Sequence, residues 1–274
     1  MRNLFFKLLP YAMGLGQCLV LWCLFFPPAF LDPLGLWRVV ILLPLLIVAM
    51  LASSAVVLAM AFPENPTIER VVQTPPLQMA GVVAGLHELG FESVDPPMRA
   101  GLRPPVTIWA YAHREFGCWA EVYCTTTLPQ KTGYGFFALF ASDAGGLSSA
   151  ADPTLGMVPV RKGSFKQILP GAAPRQLLMF HLAAQDFLAE RGARFDPPVL
   201  TDVETTLRRS LARQRRAVTE NPLRTAAILL WRSMTKTNPH RGPISEQKAA
   251  VPSLRALGLR ASAHGSPTTM NGAQ

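Results

Sequence analysis

The arrangement of hydrophobic and polar positions divides this chain of 274 residues into parts with different periodicity. The first part contains two uncharged apolar runs, residues 8–31 and 39–63, which are separated by a short turn containing proline and glycine. A helix that crosses a bilayer needs about 20 predominantly apolar residues, and it satisfies its own backbone hydrogen bonds there. The pattern therefore predicts a two-helix transmembrane hairpin over residues 1–63, with spans at about 8–28 and 38–62.

Charges beside these runs set the expected orientation. Arg2 and Lys7 precede the first run, and basic residues close to a span end favour the cytoplasmic side. Two spans return the chain to that side, so we expect an integral, multi-pass protein of the bacterial inner membrane with both termini in the cytoplasm. A cleaved signal peptide is the alternative interpretation of the first run. Neither run has an internal ionisable residue, which argues against a transporter or channel.

The hydrophobic period changes after a linker at residues 64–74. Pro75 and Pro76 open a helix that is expected to end at Gly90. A second amphipathic helix is predicted to begin at Pro174 and to stop at Gly192.

Between these helices, short runs rich in aromatic and β-branched residues predict an antiparallel meander of three to six strands. The runs expected to be strands are residues 106–113, 118–127 and 134–141, with additional candidates at 91–94, 157–160 and 165–169. Helix, antiparallel meander and helix make an α+β plan for a cytoplasmic domain over residues 75–200.

Positive charge is concentrated at the C-terminal end. The formal net charge is +9, and residues 201–274 alone contain twelve basic and four acidic residues. Residues 201–237 predict basic amphipathic helices, whereas residues 238–274 lack aromatic side chains and are expected to be disordered. A basic helix that carries tryptophan suits anionic lipid head groups at the bilayer surface. The residues assigned to this membrane interface are Arg208, Arg209, Arg213, Arg215, Arg216, Trp231 and Arg232.

Two alternatives to lipid binding are open for these basic helices: protein packing and nucleic-acid binding. The helices could pack on the α+β domain or on a partner protein, which amphipathic helices commonly do. Nucleic acid is disfavoured, because aromatic residues that stack on bases are expected among the charges and Trp231 alone is present there.

One set of side chains resembles a catalytic constellation. Cys118, His113 and Asp143 could act as nucleophile, base and orienting carboxylate. His113 and Cys118 flank an expected turn at Gly117 and could approach across it, although ordinary packing of the two residues is the alternative.

The remaining motifs predict packing rather than chemistry. His87 and Glu88 begin a zinc-helix motif whose second histidine is missing, so no metal or cofactor is predicted. Residues 143–149 are interpreted as a glycine- and serine-rich hairpin connection, and His181 as a packed histidine on a helix face. A small basic cluster is interpreted as solvated surface; its members are Arg161, Lys162 and Lys166.

These patterns lead to three functional hypotheses. The first is a membrane-anchored, non-enzymatic module whose α+β domain binds or senses an unidentified protein or small molecule. The alternative is a membrane-bound thiol hydrolase or transferase that uses Cys118 and His113. A second alternative is a structural hairpin that self-assembles in the bilayer.

Overall fold

The computed structural model describes residues 16, 18–19, 22–23, 37–61, 66–102, 104–113, 115–126, 130–141, 145–152, 160, 163–196, 203–235 and 238–259. Its helices are α1 (Trp37–Ala61), α2 (Ala80–Glu88), α3 (Pro174–Ala189), α4 (Val203–Thr219), α5 (Pro222–Thr235) and α6 (Val251–Ala256). Its strands are β1 (Ile68–Arg70), β2 (Glu92–Ala100), β3 (Val106–His113), β4 (Cys118–Thr125), β5 (Thr132–Leu139), β6 (Gly146–Ala150) and β7 (Phe165–Ile168). Helices and an antiparallel sheet together make an α+β domain.

The strands form one sheet in which spatial order follows chain order from β1 to β7. Neighbouring strands are antiparallel as far as β6, and β7 is parallel to β6. Strands β3, β4 and β5 correspond to the three predicted central strands, with boundaries shifted by two residues at most for β4 and β5. Their alternation of large apolar and small residues is therefore a reliable strand signal here.

Alternation within the strands gives the sheet two different faces. One face carries Trp109, Val122 and Phe136, which pack with Leu86 of α2 and Leu177 of α3 in the main core. Most of these side chains are almost fully buried, and each such side chain contributes about 1.5–3 kcal/mol relative to exposure. We call this the helix-covered face.

The opposite face, which we call the second face, is covered at one end by α4. Leu207 and Leu211 of α4 pack there against Met98, Ala100 and Ile108 of β2 and β3. Further along the same face, β4 places Glu121 between Trp119 and Tyr123, which follows from the two-residue period of a strand. The second face thus combines an apolar end with a charged centre.

Strand β6 differs from the sequence prediction of a loop at residues 143–149. Residues 142–144 lie outside the described residues, but Gly146–Ala150 pairs along β5 from Leu139 to Gly135. A Cβ at Gly146 would lie 2.7 Å from the carbonyl oxygen of Ala138, so only glycine allows this close pairing. Glycine and serine here permit tight strand packing, which composition alone does not distinguish from a turn.

The structure contradicts the predicted membrane anchor. Across the described residues, no helix combines the length and the apolarity that a membrane crossing requires. The predicted transmembrane hairpin, the multi-pass assignment and the integral inner-membrane location with cytoplasmic termini are therefore wrong for the described part of the chain. The predicted span at 8–28 lies mostly outside the described residues.

The predicted second span corresponds to α1. Helix α1 contacts α5 and α4, Leu46 is buried, and Pro44 interrupts the backbone hydrogen bonding. Part of its apolar surface therefore serves packing between helices.

Residues 238–259, which were expected to be disordered, have regular structure. They form 3₁₀ turns at Ile244–Glu246 and Lys248–Ala250, followed by α6. Ile244 and Leu254 are buried in a second apolar cluster with Phe140, Phe165 and Leu188. A few aliphatic side chains suffice to order this segment because the domain already presents an apolar surface to them. Residues 260–274 lie outside the described residues.

Candidate binding site at helix α5

The predicted thiol pair is brought together but is not activated. His113 and Cys118 are direct partners in the β3–β4 register. Burial raises the pKa of the Cys118 thiol to about 12, so the nucleophilic thiolate is essentially unpopulated at neutral pH. His113 instead accepts a hydrogen bond from the Phe116 N–H at 3.3 Å and stacks on that ring. Asp143 lies outside the described residues.

A second pair of a nucleophilic side chain and a histidine is buried in the core. Ser149 Oγ and His181 Nδ1 are 2.7 Å apart, and the Gln167 side-chain amide donates to Ser149 Oγ at 2.7 Å. All three residues are at most 1% exposed. Burial lowers the pKa of His181 to about 3, so the imidazole is neutral. With no solvent-exposed atom to meet a substrate, this network joins β6, β7 and α3 rather than performing catalysis.

An open cleft lies along one side of α5. It encloses about 820 Å³ and its walls are mainly apolar, a size in the range typical of small-molecule sites. The α5 residues that line it follow helical spacing on one face, and the chain that follows α5 closes the end. The lining residues are Arg224, Ala227, Ile228, Trp231, Arg232, Asn238 and Pro239.

Local sequence explains how α5 presents this face. Asn221 caps the helix by accepting a hydrogen bond from the Arg224 N–H at 3.1 Å. Thr225 and Ala226 are buried, which fixes the rotation of the helix and turns the cleft residues outwards. Trp231 is 66% exposed as a result, so a large indole surface is available to a ligand.

Charged side chains on the second face of the sheet interact with the cleft through Arg232. Burial lowers the pKa of Lys166 on β7 to about 8; repulsion from Arg232 acts in the same direction, and attraction by Glu121 opposes it. Burial raises the pKa of Glu121 on β4 to about 7, while the Lys166 charge acts to lower it. Glu121, Lys166 and Arg232 therefore form one electrostatically coupled group.

Small residues allow that coupling across two intervening strands. In register, Glu121 is paired with Gly135, Gly135 with Ala150, and Lys166 with Ser148. A Cβ at Gly135 would lie 2.7 Å from the Ser149 carbonyl oxygen, so a larger residue is excluded there. The row of Glu121 therefore has only small side chains on β5 and β6, whereas the row of Lys166 contains Ser148 and the bulky Phe137.

His240 lies where the chain leaves the cleft. Its carbonyl oxygen accepts a hydrogen bond from the Ile168 N–H at 2.7 Å, which places it beside β7. His240 is 8% exposed, and its Nε2 atom is buried without a hydrogen-bond partner in the part of the chain that the structure describes. Burial lowers the pKa of His240 to about 4, repulsion from Lys166 and Arg232 adds to the effect, and a side-chain hydrogen bond with Gln247 opposes it.

The predicted membrane-interface residues are divided between two helices. Trp231 and Arg232 on α5 both line the cleft. On α4, Arg208 pairs with Glu204, with nitrogen–oxygen distances of 2.8 and 3.1 Å. Arg209 and Arg216 are exposed, Arg215 is half-buried, and the side chain of Arg213 lies outside the described residues. Their role at a lipid surface stays a prediction.

Sequence reasoning missed Lys166 of the charged group and its neighbour His240. Lys166 was interpreted as solvated surface, and His240 lay in a segment expected to be disordered. One signal was present for Lys166: it shares a strand face with Ile168, an aliphatic residue that a strand usually turns towards a covered surface. No comparable sequence signal marked His240.

Comparison of the chain with protein-family models, with curated proteins and with solved structures finds no match. Within the described ranges, no three histidine, cysteine, aspartate or glutamate side chains are grouped closely enough to hold a metal ion. The geometry and charge of the cleft are therefore the features that indicate a function.

Proposed function

We propose that this chain is a non-enzymatic binding module that takes an anionic amphiphile in the α5 cleft. The ligand class is a molecule with an apolar chain and a negatively charged head group. The observation that carries the proposal is the combination of a mainly apolar cleft, an exposed Trp231, and the cationic side chains of Arg224 and Arg232 in its lining.

Trp231 would contribute most of the binding free energy of the apolar part of the ligand. The side chain is 66% exposed, and a fully covered tryptophan removes up to about 250 Å² from water. Covering roughly 100 Å² of it is worth about 2.5 kcal/mol at 25 cal/mol per Å². Ala227 and Ile228 extend this surface by one helical turn, which suits an extended aliphatic chain.

The charged part of the ligand would be selected by arginine. Arg224 and Arg232 stand two turns apart on the cleft face of α5, and a guanidinium group offers several N–H donors in the plane that a carboxylate or phosphate oxygen pair matches. A neutral amphiphile of the same length lacks this interaction. The cleft should therefore discriminate by charge as well as by apolar area.

The non-enzymatic part of the proposal is supported by the state of the candidate nucleophiles. The Cys118 thiol is held protonated by burial, and Ser149 and His181 are enclosed in the core. Neither group reaches the cleft lining. A ligand in the cleft would be held rather than transformed by these residues.

Calorimetric titration with decanoate, below its micellar concentration, tests the proposal. Trp231→Ala should weaken binding at least tenfold, since about 2.5 kcal/mol of apolar contact is removed. The matched control is Leu223→Ala on the same helix, because Leu223 is 56% exposed and does not line the cleft; its affinity should stay within about twofold of the wild type. Absence of decanoate binding, or equal losses in both variants, would refute the proposal.

A further inference from the structure

We propose that Arg224 binds the anionic head group of the ligand, and that the aliphatic chain then runs along α5 past Trp231 towards Pro239. This inference rests on the proposed function, since it takes the cleft to bind an anionic amphiphile. It adds the orientation of the ligand, and it narrows the ligand class to amphiphiles whose chain is long enough to reach from Arg224 to Trp231.

Arg224 is the accessible cation of the cleft. It lines the cleft and is exposed, and its backbone is fixed by the hydrogen bond from its N–H to the Asn221 side chain. Among the residues that the structure describes, the guanidinium group of Arg224 has no hydrogen bond or ion pair. Its N–H donors are therefore available to the two oxygens of a carboxylate.

Arg232 is a poorer partner for the head group. It is half-buried and already takes part in interactions within the protein. The opposite ligand orientation is also unfavourable at its other end, because a chain that started at Arg232 would finish against the exposed charge of Arg224. Covering an unpaired charge with apolar groups removes its hydration without replacing it. With the head group at Arg224, the chain instead ends beside Pro239.

The position of Arg224 within α5 is unfavourable for the free protein. Arg224 is the third residue of α5, and the first turn of α5 contains no acidic residue. The partial positive charge at a helix N-terminus disfavours a cation in the first turn. An anion bound to the guanidinium group would offset this repulsion.

The distance from Arg224 to Trp231 sets the chain length. Trp231 lies seven positions after Arg224 in α5, which is about 10 Å along the helix axis, and the lining residues between them are Ala227 and Ile228. An extended chain advances about 1.2 Å per bond. Decanoate bound at Arg224 therefore reaches the indole ring, whereas hexanoate ends near Ile228.

Calorimetric titration of the full chain with decanoate tests the position of the head group. Arg224→Gln should weaken binding at least about fivefold, because charge-assisted hydrogen bonds to the carboxylate are lost. This loss should be at least about threefold greater than the loss in Arg232→Gln. Arg175→Gln is the matched control, because Arg175 is an exposed arginine in the first turn of α3 and lies outside the cleft lining; its affinity should stay within about twofold of the wild type.

Chain length gives an independent measurement of the orientation. Proton–nitrogen NMR titration follows the backbone amide signal of Arg224 and the indole N–H signal of Trp231. Decanoate should move both signals. Hexanoate at saturation should move the Arg224 signal and should move the Trp231 signal much less than decanoate does.

Two kinds of failure are distinguishable. A loss in Arg232→Gln that equals or exceeds the loss in Arg224→Gln would overturn the inference, as would an equal loss in Arg175→Gln. A hexanoate shift of the Trp231 signal as large as the decanoate shift would also overturn it. In each of these cases decanoate still binds, and the proposed function stands. Absence of decanoate binding by the wild type would instead refute the proposed function.

Discussion

Stability in acid should depend strongly on His181, the histidine that is enclosed with Ser149 and Gln167. Burial lowers the pKa of His181 to about 3 from the ordinary value of 6.5. Between these two pKa values the His181 imidazole is protonated in the unfolded chain and neutral in the folded chain. The free energy of unfolding therefore falls as the pH drops from 6.5 towards 3. The stability contributed by this residue is fully present only above pH 6.5.

The magnitude follows from linkage. Each pH unit below the unfolded pKa of His181 lowers the free energy of unfolding by about 1.4 kcal/mol. At pH 4.5 the free energy of unfolding is therefore about 2.7 kcal/mol lower than at neutral pH. This is a large fraction of the 5–15 kcal/mol that typically stabilises a domain. Full loss, below pH 3, would reach about 5 kcal/mol.

Urea denaturation of the wild type and of His181→Gln at pH 7.5 and at pH 4.5 measures the effect. At pH 7.5 the variant should be less stable by about 1–3 kcal/mol, because the contacts with Ser149 Oγ and the Phe136 ring are lost. At pH 4.5 that difference should shrink or reverse, since glutamine does not titrate. His87→Gln is the control, as His87 is exposed on α2. A difference between wild type and His181→Gln that does not change with pH would refute the reasoning.

Three further outcomes follow from the same structure. Burial raises the pKa of Glu121 to about 7, so its contribution to stability is present below pH 4.5 and is lost as the pH rises through 7. In thermal unfolding, the stability of Glu121→Gln relative to wild type should therefore be greater at pH 8 than at pH 4.5, by about 1–3 kcal/mol. An identical pH profile for the two proteins would contradict the assignment. Gly135→Ala should destabilise by about 2–4 kcal/mol, because the new Cβ would meet the Ser149 carbonyl oxygen at 2.7 Å, whereas Gly81→Ala in α2, which meets nothing within 4 Å, should stabilise by about 0.5–1 kcal/mol in chemical denaturation; similar effects of the two would argue against the strand register. In native protein at pH 8, mass spectrometry after iodoacetamide treatment should find Cys118 unmodified and the exposed Cys18 alkylated, and rapid labelling of Cys118 would show that the thiol is accessible and ionised.

The local elements of the sheet could be predicted because their physical cause is local. Trp109 and Tyr111 alternate with smaller residues along β3, and a two-residue period of this kind places one set of side chains on one face of a sheet. The register that brings His113 opposite Cys118 follows from the short turn at Gly117. The low reactivity of the Cys118 thiol could not be predicted in the same way. Burial of this thiol depends on α2 and α3, which are distant in sequence.

The remaining features depend on tertiary context. The apolar run at α1 matches the composition of a bilayer span, and composition does not specify which apolar surface a helix meets. Gly146 and Ser149 have the residue types of a turn, yet close pairing with β5 needs the same small residues. Glu121, Lys166 and Arg232 come from β4, β7 and α5, so no local sequence pattern could predict that they interact.

The most direct test of ligand binding in the cleft is the indole N–H region of a proton–nitrogen NMR spectrum during titration with decanoate. The Trp231 signal is identified as the one lost in Trp231→Ala. Trp109 provides an internal reference, because it is buried on the helix-covered face and its indole N–H donates to the Gln73 carbonyl oxygen at 2.8 Å. Saturable movement of the Trp231 signal with a stationary Trp109 signal is the result expected from a ligand lying along α5. A stationary Trp231 signal at saturating decanoate, or equal movement of both signals, would contradict the account.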